Sequence, residues 1–264
     1  MQANLSISQR RGDVVLLVAR GSLAEWAARK LAERFDGLVI LREEPETKAQ
    51  IIRRRIRLCG LVPALGQVAA GLLFRAIGQL SRKRIAEVME NDTAVPGRSG
   101  RPARIIDVGS VNSRRCRRAL ELIRPRVIAV YGTRLISKKT LQSVDAPFIN
   151  YNAGINPRYR GQHPAYWAHV IGDDAHAGVT VHRVDTGVDT GPVIYRSPVR
   201  FAAGDTIATY QHVQMATGVR LLGDAVEDAL KGRLVTFKPQ APSRLWFPPT
   251  IWQYAWNGAV KGVW

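Results

Sequence analysis

This sequence is poor in cysteine and, beside its basic residues, in acidic ones. Only Cys59 and Cys116 occur in 264 residues, and neither lies in a CxxC or Cys/His metal spacing. That excludes a disulfide scaffold and a zinc site, and it fits a reducing, cytoplasmic setting. No secretory leader is expected either. The apolar run Val14 to Ala19 follows directly on Asp13 and holds only six residues, too few for a signal peptide's apolar region. No GxGxxG follows that run, so no dinucleotide site is expected. Acidic residues number 21 against 39 Lys and Arg, a formal net charge of +18. The imbalance asks for an anionic partner, which nucleic acid, a phosphorylated metabolite or a membrane surface would each satisfy. An arginine-rich composition used for solubility is the plainer alternative.

What is present reads as an α/β protein. Apolar residues make up 46% and charged residues 23%, the composition of an ordinary soluble globule with room for one large domain and a modest appendage. VVLLVA reads as a strand buried on both faces, LAEWAARKLAERF as a helix with Ser22 as N-cap, and GLVIL (37–41) as a second strand. That order begins an open, mostly parallel sheet flanked by helices. Further strands are expected at IIDVG, RVIAVYG (126–132), FINYN (148–152) and HAGVTVHRV (176–184), and a helix at SRRCRRALELI. A long helix runs to Gly232, followed by an aromatic, turn-rich tail. The stretch 95–104, VPGRSGRPAR, reads as a loop.

Residues 47–86 differ in character. They contain no acidic residue, several arginines, and the apolar LCGLVPALGQVAAGLLF, which suggests two helices broken near Gly60–Pro63. Pro, Gly and Gln within that run argue against a membrane span. A basic amphipathic hairpin lying on an anionic membrane, or packing across the domain or in a homodimer interface, remain as readings.

Two blocks carry the chemistry-bearing side chains: residues 148–168 and residues 178–196. Each sets polar groups at the end of an apolar strand, where parallel sheets bind ligands. Asn150 and Asn152 differ by two and so share a strand face. Asp189 stands in a Gly-rich loop that lets backbone donors approach a ligand. Taken singly, Asn150 could cap the strand, Asp189 could close an Asx-turn, and His182 could be a hydrogen-bonded structural histidine.

In sequence order the chain has Asn150, then Pro157-Arg-Tyr-Arg160-Gly161, then Gly178-Val-Thr180-Val-His182, then Asp189-Thr-Gly191. This series resembles the formyltransferase family, which includes glycinamide ribonucleotide, methionyl-tRNA and amino-sugar formyltransferases. The resemblance is good over 126–200, plausible over 14–41 and absent over 47–100. It implies a Rossmann-like catalytic domain at 1–200 with a basic helical insertion at about 47–100. Residues 201–264 would then be a C-terminal helix and tail packed on the same domain.

The resemblance further implies 10-formyltetrahydrofolate as formyl donor, seated by Arg134, Leu135, Ile136, Val184, Asp185 and Gly187. It implies catalytic roles for Asn150, Asn152 and Asp189, and substrate contacts from Arg158, Arg160 and Gly161. The family's motif histidine is Asn152 here, and an amide cannot pass a proton. Three explanations stay open: Asn152 suffices as a neutral donor, His163 or His182 replaces the imidazole, or the chain is a non-catalytic folate- or sugar-binding relative. The tail is too short for the extra domain of the tRNA enzymes, so tRNA is not the expected acceptor. An anionic small molecule bearing a primary amine is expected, with a nucleotide-linked amino sugar ahead of glycinamide ribonucleotide.

Overall fold

The computed structural model describes residues 12–90 and 103–264. Its first half contains β1 (Val14–Ala19), α1 (Ser22–Arg34), β2 (Val39–Glu43), α2 (Lys48–Cys59), α3 (Leu61–Leu80), α4 (Arg82–Glu90) and β3 (Arg104–Val108). Then come α5 (Arg114–Ile123), β4 (Val127–Tyr131), the single turn α6 (Lys138–Leu141), β5 (Phe148–Asn152), β6 (Arg160–Gly161) and α7 (Pro164–Val170). The remainder is β7 (Gly178–Arg183), β8 (Val193–Pro198), α8 (Tyr210–Leu230), β9 (Leu245–Trp246) and α9 (Ile251–Lys261).

Seven strands form one sheet in the order β3-β2-β1-β4-β5-β7-β8. The first five in that order run parallel, while β7 pairs antiparallel with both β5 and β8. β1 is central because all its side chains are apolar, and Val15, Leu16 and Leu17 are fully buried. Each such residue contributes roughly 1.5–3 kcal/mol on leaving water, so a polar substitution there would be expensive. One apolar layer joins this sheet to α1 and α8; a second joins it to α5. α8 lies across β4, β5, β7 and β8 and is tied to α1 by Arg34, which donates to Asp224 and Glu227 at 2.7 Å each.

Several local readings shift. The second strand runs two residues later than GLVIL, and β8 has no counterpart in the expected pattern. The residue before α1 is Gly21, without a side-chain cap, and Ser22 is already helical. Most of the expected loop at 95–104 lies outside the described residues. The tail is not turn-rich throughout: Thr250 and Gln253 form a capping box that starts α9. Tyr254 of this helix packs with Tyr159, Tyr166 and Trp246 in a third apolar cluster beside α7. The helical break falls at Gly60, whose φ of 85° suits glycine.

Where α8 crosses β5, Gly218 admits the Tyr151 ring; a Cβ there would sit 1.9 Å from it. Tyr151 lies between Asn150 and Asn152, so this contact also sets the height of that strand. Gly218→Ala is expected to lower stability by about 1–3 kcal/mol through overpacking. Urea unfolding with an unchanged slope checks it, and a midpoint equal to the parent's refutes it.

Candidate active site

Parallel β4 and β5 end on the same side of the sheet, and β7 returns antiparallel beside β5. The register puts Asn150 directly opposite His182 and Asn152 opposite Thr180. The His182 Nδ1–H donates to the Arg183 carbonyl at 2.8 Å, which leaves Nε2 to accept from the Asn150 amide at 3.1 Å. Asp189 completes the group: its Oδ1 is 3.5 Å from both Asn150 Nδ2 and His182 Nε2. A turn of the chain at φ 52° aims this carboxylate. The Gly161 N–H donates to its other oxygen at 3.1 Å. The Asp189 carbonyl accepts from the Asn156 amide at 3.1 Å.

These groups line a cleft of about 630 Å³ at the carboxyl ends of β1, β2 and β4. That volume falls within the usual range for small-molecule sites, roughly 300–1,000 Å³. Leu135, Ile136, Val184, Gly187 and Val188 supply apolar lining, and Arg54, Arg55 and Leu58 of α2 line the cleft as well.

The other expected site residues are distributed unevenly. Arg134 borders the cleft, but Glu43, Glu44 and Gly109 hold its guanidinium, so it braces β2 against the loop after β4. Asp185 accepts from the Gly187 N–H and the Thr190 hydroxyl, closing the loop before Asp189. Arg160 reaches the Val188 carbonyl and Ser243, and so clamps that same loop from outside.

Three expected site residues are held in other contacts. Asn152 Nδ2 donates to Asn156 Oδ1 at 2.7 Å and to the Tyr159 carbonyl at 3.3 Å, so both amide hydrogens are spent and none remains for an oxyanion. Arg158 pairs with Asp173 at 3.0 Å and does not line the cleft. Burial works against the Asp173 charge, yet its donors Tyr159, His176 and Arg158 hold that carboxyl below the usual range. His163 also stays out of the cleft lining and meets the Phe74 ring edge-on. Burial, with Arg55 second, pushes its imidazole down to about 4, so it is neutral at pH 7. Of the two candidate histidines, only His182 joins Asn150 and Asp189.

Two residues escaped sequence reasoning. Asn156 is buried and joins three elements at once, through Thr180, Asn152 and the Asp189 carbonyl. Its position beside Pro157 in the motif could have flagged it. Arg55 lies on the cleft wall with no carboxylate partner among the described residues, and burial lowers its pKa, with Arg54 adding repulsion. Only the chain fold brings it there, so no local pattern announces it.

A family model described as "Formyl transferase" matches residues 102–226. Over 113 residues the chain is 39% identical to the methionyl-tRNA formyltransferase of Burkholderia ambifaria strain MC40-6, covering 41% of this chain and 34% of that protein. The chain thus spans about a third of the length of the curated relatives it matches. Among solved structures, a 4-N formyltransferase from Francisella tularensis matches at TM-score 0.53 and 14% identity, over 93% of this chain and 79% of that one. An N-formyltransferase from Helicobacter canadensis, in complex with folinic acid and dTDP-3-aminofucose, matches at TM-score 0.54 and 12% identity, over 89% and 70%. Glycinamide ribonucleotide transformylase 1 from Symbiobacterium toebii matches at TM-score 0.52 and 19% identity, over 88% and 91%. The seven-stranded, mostly parallel sheet is therefore the formyltransferase fold.

The buried Asn156 latch makes a direct prediction. Asn156→Ala strands the Asn152 amide and releases the Asp189 turn, at a cost of about 1–3 kcal/mol per unsatisfied buried group. Urea unfolding and hydrogen exchange at residues 185–191 check this. Unchanged protection in that loop would show that Gly161 and Arg160 hold it alone.

Proposed function

We propose that this chain transfers a formyl group from 10-formyltetrahydrofolate to the primary amine of an anionic small molecule. A nucleotide-linked amino sugar is the acceptor class we favour. The observation that carries the reading is the meeting of Asn150, His182 and Asp189 within 3.5 Å at the floor of one cleft. Folate suits the apolar lining of that cleft. Leu135 and Val188 expose apolar surface there, beside Ile136, Val184 and Gly187, which offers a slot for a flat ring. Bound there, the folate supplies an activated formyl group.

The chain's own residues then divide the work. The Asn150 amide gives one hydrogen to His182, and its nitrogen is 3.5 Å from Asp189, the outer limit of a hydrogen bond. The other amide hydrogen turns to the formyl oxygen as negative charge gathers there, an effect worth roughly 3 kcal/mol for one preorganised donor. The amine lone pair forms the new carbon–nitrogen bond while the bond to the folate nitrogen breaks. The Asp189 carboxylate takes the proton the amine sheds, directly or through water, and returns one to the departing nitrogen. His182 Nε2 orients the Asn150 amide and stands in the place of the imidazole that Asn152 lacks. Arg55, with no carboxylate partner, binds the anionic part of the acceptor. The free thiols Cys59 and Cys116 support a reducing, cytoplasmic compartment for this chemistry.

Loss of formyl groups from 10-formyltetrahydrofolate, followed by absorbance across a panel of amines, tests the activity. Asp189→Asn and Asn150→Ala are each expected to lower kcat by about 10²- to 10⁴-fold. Retention of the parent's rate by Asp189→Asn would refute the mechanism. Arg55→Ala is expected to raise KM for a phosphate-bearing amine about tenfold and to leave kcat nearly unchanged. An equal effect on a neutral amine would remove Arg55 from the acceptor site.

A second reading, of a folate-binding relative without turnover, draws on the spent donors of Asn152. Titration with a non-reactive formyl-folate analogue separates it from the first: binding without deformylation of any amine would favour it.

A further inference from the structure

α3 presents two unlike faces. Ala64, Gly66, Gln67 and Ala70 are buried, and Phe74 and Ile77 pack into the cluster beside α7. Leu61, Val62, Leu65, Leu72, Leu73 and Leu80 are exposed. At one residue per 100° these six fall within roughly one third of the helix circumference, so they form a single stripe. α9 adds a second stripe. Trp252, Trp256 and Val260 follow one another at four-residue steps and are all exposed, and the Trp252 ring rests against α3 at Gly66. Apolar surface this continuous on a water-facing helix pair marks a contact site.

α3 is long and apolar enough to cross a bilayer by length and composition. Its surroundings hold it on the domain instead. α2 packs back along it after the turn at Gly60, α9 covers its buried face, and α4 is fastened to the body by α8 and by the Arg84–Asp205 ion pair at 2.9 Å. A helix held this way can lie on a membrane surface but not thread it.

Charge selects what lies over the stripe. Residues 47–86 contain no acidic side chain. Among the described residues Lys48, Arg53, Arg57, Arg75, Arg82 and Lys83 have no ion-pair partner. A second copy docked face to face would bring these cations against their own kind with no carboxylate between them. A nucleic acid would match the charge and leave the leucines and tryptophans unsatisfied. An anionic lipid surface satisfies both: acyl chains take the apolar stripe and head groups take the basic rim.

We propose that the α2–α3–α9 face docks on an anionic bilayer surface, with the α3 leucines and the α9 tryptophans at the acyl boundary. This stands apart from the chemistry of the cleft. The full chain should sediment with vesicles of phosphatidylcholine containing phosphatidylglycerol at least about tenfold more strongly than with phosphatidylcholine alone. High salt should weaken that binding, and tryptophan emission should shift to the blue on lipid. Leu65→Glu/Leu72→Glu should reduce sedimentation about tenfold or more. Because both side chains are exposed, its circular dichroism and melting should match the parent. Arg53→Ser/Arg57→Ser should erase the preference for the anionic vesicles. Equal partition to both vesicle types, or unchanged binding by the folded leucine variant, would overturn the proposal. So would a parent dimer that the leucine variant splits while neither form binds vesicles.

Discussion

The antiparallel pairing of β5 with β7 is the constraint on which the site depends. Side chains alternate along a strand, so a slip of one residue would turn Asn150 and His182 to opposite faces. Their hydrogen bond exists only in the observed register, with Asn150 opposite His182. Everything that holds Asp189 is tied to that register as well. Asn156 reaches back to Thr180 on β7 and forward to the Asp189 turn, while Gly161 donates from the far side. The contact of Tyr151 with Gly218 then fastens β5 to α8, and α8 to the rest of the frame through Arg34. The meeting of Asn150, His182 and Asp189 is thus carried by one strand pair and a helix laid across it.

The strongly apolar parts of this arrangement were legible in the sequence. A run such as VVLLVA buried on both faces has one interpretation in an α/β protein, and the motif residues near Asn150 and Asp189 announce themselves by order and spacing. Readings failed where a side chain's partner is remote in sequence. Nothing near Arg158 says that Asp173 will claim it, and nothing near Arg55 says that the α2–α3 insertion folds back to wall the cleft. The choice between His163 and His182 was invisible for the same reason. One stands at the start of a short helix facing Phe74, and the other at a cross-strand position decided by register. The tail misled because its aromatic residues obscured the capping box at Thr250 and Gln253, a local signal that was present all along.

The substitution at Asn152 illustrates how a site can lose a group without losing its architecture. A short amide in that place turns inward to Asn156 and the Tyr159 carbonyl, becoming part of the scaffold under the Asp189 loop. The imidazole beside Asn150 comes from the neighbouring strand instead. Under the proposed mechanism scaffold and chemistry divide a pair of positions on one strand face, with the Asn152–Asn156 amide pair bonded to the Asp189 turn.

Acidic residues are scarce, and where they fall decides what the excess of arginine can do. Glu43 is buried, and it accepts from the Val111 and Arg134 N–H groups and from the Arg134 guanidinium. Asp107 holds Arg42, Asp205 holds Arg84, and Asp224 with Glu227 holds Arg34. These carboxylates neutralise the arginines that brace the frame, and each was drawn from a small supply. The helical insertion after β2 is the region they scarcely reach. α2 consequently turns uncompensated charge in two directions, with Arg55 toward the cleft and Arg53 and Arg57 toward solvent. Under the two proposals made above, one helix recognises an anion on its inner side and a charged surface on its outer side. Residues 47–86 hold nine Lys and Arg and no acidic residue, so a large share of the net charge of +18 lies where apolar surface is exposed as well.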